Sequence, residues 1–378
     1  MYKHGWNYKW KGTLQEKFFN WLKKLLKLES PPVITAYRGY GTSQRVITRG
    51  HVLDDRVLYE AQLQDTRRKN LWAMISRYLS RGLPQVRVGI RFSGHYQEVV
   101  TNEKGYFEAI FHFESPLLLN GWVPIEYQVL DKLVETQEPL VQTGEIYILE
   151  EQRTFGIISD VDDTILISHA TNIFRKFWLV VFKNSKTRLP FTGVASFYWA
   201  LHQGRNKAYR NPIFYVSSSE WNLYDFLEDF CRVRNIPKGP FLLKSLKTGL
   251  LELFKSGGGS HLHKKDKIEH LLDVFPDVKF ILIGDSGQHD AVIYTEIAEK
   301  YPNRILALYI RKVSERRNLK IILHFTKQLK TKHLDLLLVN DTAEAARHAH
   351  EKGFIDAEEY ERVKAEVAKA GKNMIFTK

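Results

Sequence analysis

The alternation of apolar and polar positions divides the chain into stretches of different kind. Residues 13–28, TLQEKFFNWLKKLLKL, put Leu14, Phe18, Trp21, Leu22, Leu25, Leu26 and Leu28 on helical spacing with Lys17, Asn20, Lys23, Lys24 and Lys27 opposite, predicting a basic amphipathic helix. Such a helix suits either the headgroup layer of an anionic membrane or an apolar patch on the domain that follows. From Pro31 to about Leu149 come short alternating runs separated by turn residues: QVRVGIRFSG, YQEVVTNEKGYFEAIFHF, WVPIEYQVL and GEIYILEE. They predict an all-β, sandwich-like or small-barrel domain. Within it TNEKGYFE, Thr101–Glu108, reads as a turn entering a strand, and residues 58–82 read as one helical interruption whose arginines form a solvated face.

After Gln152 the pattern changes to continuous apolar runs ending in polar residues: TFGIISD, NPIFYVSSS, VKFILIGDS, NRILALYI and DLLLV. Runs of this kind suit parallel strands covered on both faces, and in such sheets ligands bind beyond the carboxyl ends of the strands. The acidic and hydroxyl residues sit at those ends. The tail from Asp341 to Gly371 predicts helices broken near Gly353 and restarted at Asp356, and GGGS, Gly257–Ser260, reads as a flexible loop. The expected organisation is a leader helix over 1–30, a β domain over 31–150, an α/β domain over 151–356 and a C-terminal helix over 357–378.

Composition narrows the function. The chain has 378 residues with 44% apolar content, enough for more than one core. Its single cysteine, Cys231, excludes an internal disulfide framework and fits a reducing compartment. It does not suit a thiol phosphatase, because the arginine required six residues downstream is replaced by Pro237. The beginning of the chain lacks the apolar core and cleavage site of a secretory signal, and no stretch reaches the ~20 apolar residues of a membrane span. A cytoplasmic location is expected, peripheral on the inner face of the membrane if the leader helix binds lipid. A formal charge of +13 favours acidic partners without choosing among anionic lipid, phosphorylated substrate and nucleic acid.

The chemistry concentrates in GIISDVDDTILIS, Gly156–Ser168, where Asp160, Asp162 and Asp163 follow an apolar strand. A calcium loop is excluded twice, since the sixth position is Ile165 where glycine is needed and the twelfth is Thr171 where a bidentate glutamate is needed. Helix capping accounts for one carboxylate but not for Asp160 and Asp162 together. Carboxylates this close require a cation or a shared proton. Further strand ends add Ser217 after IFYV and Asp285 and Asp290 in GDSGQHD, while HLHKKDK offers a lysine to neutralise a phosphoryl group. Oxygen ligands of this type suit a hard cation such as Mg²⁺.

This combination resembles the haloacid dehalogenase-like (HAD) phosphohydrolase superfamily, with Asp160, Asp162 and Thr164, then Ser217, Lys264, and Asp285 with Asp290 as its motif positions. Within that superfamily RGYGT (Arg38–Thr42), SDVDDTI, FYVSSSEWN, HK (His263, Lys264) and IGDSGQHD look like the phosphatidate phosphatase family related to the yeast actin-patch enzyme. Glu220 stands where that family commonly has proline, and the motif lysine is either Lys264 or Lys265. The resemblance implies a HAD-like Rossmannoid sheet with a small cap inserted over Ala170–Gly193. It also implies Asp160 as a nucleophile forming an aspartyl-phosphate, Asp162 as acid and base, Thr164, Ser217 and Lys264 as orienting and neutralising groups, and Mg²⁺ held by Asp160, Asp162 and Asp285 with Asp290 in support. The implied substrate is phosphatidate or a related lipid phosphate at an anionic membrane surface, with no nucleic-acid partner. A soluble phosphomonoester as substrate, and a membrane- or nucleic-acid-binding module with secondary phosphatase activity, stay open as alternatives.

Overall fold

The structure, a computed structural model, describes residues 32–54, 80–133, 139–150, 153–161, 192–207, 209–244, 260–286, 290–312, 319–331 and 333–375. The leader helix over 1–30, residues 58–79 of the expected helical interruption, residues 170–191 of the expected cap, and Asp162 and Thr164 lie outside the described residues. Those described fall into two compact units, one up to Leu149 and one from Glu150 onward.

The first unit is a seven-stranded sheet built from β1 (Val33–Gly41), β2 (Arg45–Leu53), β3 (Arg87–Phe92), β4 (His95–Val100), β5 (Tyr106–His112), β6 (Gly121–Val129) and β7 (Val141–Ile148). Its order is β4-β3-β6-β7-β1-β2-β5, antiparallel throughout except where β1 lies parallel to β7. The tight β3–β4 hairpin turns on Ser93 and Gly94, both at positive φ, the mirror-image turn that matches strand twist. Alternation puts Phe107, Ala109 and Phe111 of β5 into the core while Glu108 stays outside. The sheet curls so that its far strands meet: Phe111 of β5 lies 6.0 Å from Phe92 of β3, and Phe107 lies 5.6 Å from Tyr127 of β6. The turn read at Thr101–Glu108 is held by Asn102 Oδ1, which accepts the Lys104 and Tyr106 N–H groups at 2.9 and 3.1 Å.

The second unit is a six-stranded parallel sheet flanked by helices. Its strands are β8 (Gly156–Asp160), β9 (Ile213–Glu220), β10 (Phe241–Lys244), β11 (Phe280–Asp285), β12 (Ile305–Arg311) and β13 (Asp335–Val339), in the order β10-β9-β8-β11-β12-β13. Every residue of β8 and β11 is buried, as their unbroken apolar character requires of central strands. The edge strand β10 was not evident in the sequence. It has only four residues, directly after Pro240, too few to establish a period.

The helices are α1 (Val194–Gln203), α2 (Tyr224–Val233), α3 (Ser260–Val274), α4 (Asp290–Lys300), α5 (Leu319–Lys330), α6 (Thr342–Glu351) and α7 (Ala357–Ile375). Side-chain bonds tie α3 to α4 through Lys265–Glu296 and Lys300–Glu269, and α4 to α5 through Gln328–Glu299. At α1, Phe197 packs on Tyr309 of β12, whose hydroxyl bonds His348 of α6. Right-handed crossovers dictate this division, because the chain moves one way along the sheet through β8, β9 and β10 and the other way through β11, β12 and β13. As expected, α6 ends at Gly353, in the left-handed region at φ 74°, and α7 restarts where Asp356 Oδ1 accepts the Glu359 N–H.

Candidate active site

The strand order reverses between β8 and β11, and crossovers leaving in opposite directions open a crevice beyond the carboxyl ends of that strand pair. Asp160 is the last residue of β8 and Asp285 the last of β11, while Ser159 is level with Ile283 and Asp160 with Val216 of β9. Asp285 and Ser217 therefore stand just beyond Asp160 on its two sides. Two acids from distant parts of the sequence meet because both strands run parallel and end together.

Gly284 lets a third acid in. A Cβ there would lie 2.5 Å from Asp290 Oδ2, so only glycine allows the first residue of α4 to bring its carboxylate against β11. Asp290 Oδ2 accepts the Asp285 N–H at 3.1 Å, and its negative charge at the start of α4 suits the helix dipole. Lys264 of α3 places Nζ 2.5 Å from Asp290 Oδ1 and 3.0 Å from Asp160 Oδ1. All four side chains are buried, Lys264 at 3% exposure and Asp160, Asp285 and Asp290 at 0%. Lys265 instead reaches outward to Glu296 at 2.6 Å. Of the two lysines left open by the sequence, Lys264 is the one that meets the aspartates.

Asp160, Asp285 and Asp290 each offer a carboxylate oxygen, all within 4.8 Å of one another. Against these three negative charges stands one ammonium, leaving a formal −2 among four buried side chains. Bringing like charges together out of water is costly unless a cation completes them, so the donor set fits a hard divalent ion in both chemistry and charge.

Two buried tyrosines that the sequence reading passed over secure the strand ends. Ser159 Oγ donates to the Asp160 main-chain oxygen at 2.8 Å; with its single proton so used, it accepts from Tyr198 of α1 at 2.6 Å. Tyr294 of α4 donates to the Ile283 main-chain oxygen at 3.0 Å. Burial, and then the nearby Asp290, Asp160 and Asp285 carboxylates, push the Tyr294 hydroxyl well above its ordinary pKa, so it stays a donor at any physiological pH. Burial raises Tyr198 likewise, with Asp160 adding to it against the opposing Ser159 bond. No isolated buried tyrosine announces such a role in sequence; only the packing reveals it.

Ser217 is fully buried, and its Oγ accepts the Ser219 N–H at 2.8 Å; it lies within β9, which runs on to Glu220 past the apolar run IFYV that the sequence pattern ended at Ser217. Lys267, one helical turn beyond Lys264, donates to the Ser217 main-chain oxygen at 2.9 Å. RGYGT belongs to the first unit, at the end of β1, where Thr42 Oγ1 accepts the Gln44 and Arg45 N–H groups of the β1–β2 turn.

Residues 155–312 match the family model of the catalytic domain of phosphatidate phosphatase APP1, a span that holds Asp160, Ser217, Lys264, Asp285 and Asp290. Phosphatidate phosphatase APP1 of Saccharomyces cerevisiae is 35% identical over 156 residues, 41% of this chain and 25% of that protein. An uncharacterized protein of Schizosaccharomyces pombe is 25% identical over 217 residues, 57% of this chain and 34% of that protein. The match thus spans about a quarter of the length of the first of these relatives and about a third of the second. Among solved structures, a carbohydrate acetylesterase from Xanthomonas citri is similar at a TM-score of 0.27 and 8% identity, covering 73% of this chain and 68% of that one, a likeness too slight to carry an argument. Residues 155–312, with the buried acid cluster they enclose, are related to the catalytic domain of the phosphatidate phosphatase APP1 family.

Proposed function

We propose that this protein is a Mg²⁺-dependent phosphatase that hydrolyses phosphatidate or a related lipid phosphomonoester, its second unit being a HAD-like domain. The observation that carries the reading is the meeting of Asp160, Asp285, Asp290 and Lys264, all buried, where β8 and β11 end inside the segment related to a phosphatidate phosphatase. Asp160, Asp285 and Asp290 would hold the ion, with the Asp162 carbonyl a further donor by the family resemblance. When bound, Mg²⁺ supplies positive charge that lets an anionic nucleophile approach an anionic phosphate.

The chain's own residues do the rest. An Asp160 carboxylate oxygen attacks phosphorus, the bond to the lipid alkoxide breaks, and Asp162 gives the alkoxide its proton. The same Asp162 then takes a proton from a water that attacks the aspartyl-phosphate, releasing inorganic phosphate and regenerating Asp160. Lys264, bonded to Asp160 and Asp290, holds the nucleophile in place and offsets its charge. Tyr198, through Ser159, fixes the backbone of Asp160.

The lipid substrate rests on the yeast relative and on the basic, apolar composition of residues 13–28 and 170–193. Among the described residues no helix is long and apolar enough to cross a membrane. Peripheral binding to an anionic bilayer is the mode of access that suits this reading. The test is phosphate release by purified protein with Mg²⁺ from phosphatidate in detergent micelles and from soluble phosphomonoesters, with Asp160→Asn as blank. Release from phosphatidate that the blank lacks supports the proposal. Release only from soluble esters moves the substrate, and equal release by both proteins removes the phosphatase reading in favour of a binding module.

A further inference from the structure

Resting on the phosphatase reading above, we infer that Asn222 is a specificity-determining residue whose carboxamide recognises a free hydroxyl on the alcohol side of the phosphomonoester. Asn222 is 7% exposed, yet neither its Nδ2 nor its Oδ1 has a hydrogen-bond partner among the described residues. A buried donor or acceptor left unmatched is expensive, so folded proteins seldom keep one without a use for it.

Asn222 lies on the ligand-binding rim of the second sheet. Asp160 is level with Val216 of β9, the chain runs on through Ser217 to Glu220, where β9 ends, and Asn222 is the middle residue of the 3₁₀ turn Trp221–Leu223 that leads into α2. It therefore follows the carboxyl end of the strand beside β8, the side on which such sheets take their ligands. The usual reasons for asparagine before a helix do not apply. Leu223 stands at the cap of α2 with no side-chain capping bond, and Asn222 Oδ1 accepts no main-chain N–H as it would in an Asx turn. Its neighbours anchor the turn instead: the Trp221 ring lies 6.0 Å from that of Tyr224, which meets Phe241 of β10 edge-on at 5.7 Å.

The donor set defines the ligand. A carboxamide offers two hydrogens on nitrogen and two lone pairs on oxygen. A phosphate dianion or an acyl ester only accepts, and would leave Oδ1 unmatched. A hydroxyl next to an ester or phosphoester oxygen supplies both halves: its proton goes to Oδ1 and the neighbouring oxygen accepts from Nδ2. Among lipid phosphates that pattern belongs to a glycerol phosphate with one hydroxyl left unacylated. A site that bonds a substrate hydroxyl discriminates against the analogue lacking it, because the polar groups of the site are then left unpaired.

Full-length wild type, Asn222→Leu and Asn222→Ala would be compared for melting midpoint and for kcat/KM on lysophosphatidate and phosphatidate in the same detergent micelles with Mg²⁺, with Asp160→Asn as blank. The ratio of the two kcat/KM values is the reading, since a general loss of activity cancels in it. Wild type should favour the hydroxyl-bearing lipid, and each substitution should lower the ratio about tenfold, the worth of a strong neutral hydrogen bond. Leucine has nearly the shape of asparagine without its polar atoms, so its midpoint should equal or exceed that of wild type; a structural role would instead lower both midpoints and spare the ratio. The inference is overturned if either folded variant keeps the wild-type ratio, or if wild type does not favour the hydroxyl-bearing lipid. Where wild type and Asp160→Asn release equal phosphate, the phosphatase reading itself has failed; where they differ and the ratio ignores Asn222, only the role of Asn222 has.

Discussion

Replacing Gly284 by alanine puts a methyl group into the space through which Asp290 reaches β11. The new carbon would lie 2.5 Å from Asp290 Oδ2, 2.8 Å from its Cβ and 2.9 Å from its Cγ. Ordinary contact needs the carboxylate to retreat by about 1 Å, a displacement that a close-packed interior resists. Asp290 is 0% exposed and held at both oxygens, by Lys264 on one side and the Asp285 N–H on the other. Overpacking costs about 1–3 kcal/mol, and weakening a hydrogen bond to a charged group adds about 1.5–3 kcal/mol. A total of about 2.5–6 kcal/mol corresponds to a fall of roughly 5–24 °C in the melting midpoint for a unit of this size. The same retreat moves one of the three candidate metal ligands, so phosphate release should fall and its Mg²⁺ requirement rise to higher concentration. Differential scanning calorimetry and a Mg²⁺ titration of phosphate release read both effects on one preparation. An alanine variant with the wild-type midpoint and the wild-type Mg²⁺ curve would refute this account of how Asp290 is admitted.

Tyr198→Phe leaves Ser159 Oγ without the hydroxyl that donates to it, and should lower stability by about 1–3 kcal/mol and reduce kcat more than it changes KM, checked by thermal melts and steady-state kinetics. Lys264→Met strips the buried Asp160 and Asp290 carboxylates of their ammonium, a loss of about 3–5 kcal/mol in metal-free buffer by analogy with broken buried pairs; saturating Mg²⁺ should restore part of the melting midpoint while turnover stays absent. In β13, burial pulls the Asp335 carboxyl upward, but Lys352 at 2.6 Å and His348 outweigh it and hold the pKa below the usual 3.8. A depressed folded pKa contributes stability above the unfolded value and loses it as pH falls through the folded one. Lys352→Ala should therefore lower the melting midpoint at neutral pH and converge on wild type in acid; a gap that persists below pH ~2 would contradict this linkage.

Much of the site could be read before the fold was seen, because its residues close apolar runs. TFGIISD and VKFILIGD each read as a buried strand ending in acid, and once both are parallel and adjacent their aspartates must meet at one rim. The adjacency itself was not legible: that β8 lies between β9 and β11, with the order reversing beside it, depends on the crossovers and not on any local pattern. The choice between Lys264 and Lys265 had the same character. Consecutive residues on a helix point about 100° apart, and only the placement of α3 decides which faces the aspartates. Tyr198 and Tyr294 escaped notice since a buried tyrosine looks like any core aromatic until its hydroxyl partner is known. The glycine of GDSGQHD was visible as part of a motif, but its reason, the space that Asp290 fills, is a distance and not a spelling.

The account stands on one ion shared by acids from β8, β11 and α4. The most direct measurement is calorimetric Mg²⁺ binding to metal-stripped protein, wild type against Asp285→Asn, with phosphate release from phosphatidate followed in the same samples. One site per chain is predicted for wild type, weakened at least tenfold by the substitution, with release lost on stripping and recovered in proportion to occupancy. Undiminished hydrolysis by stripped protein, or Mg²⁺ binding that ignores Asp285→Asn, would contradict it.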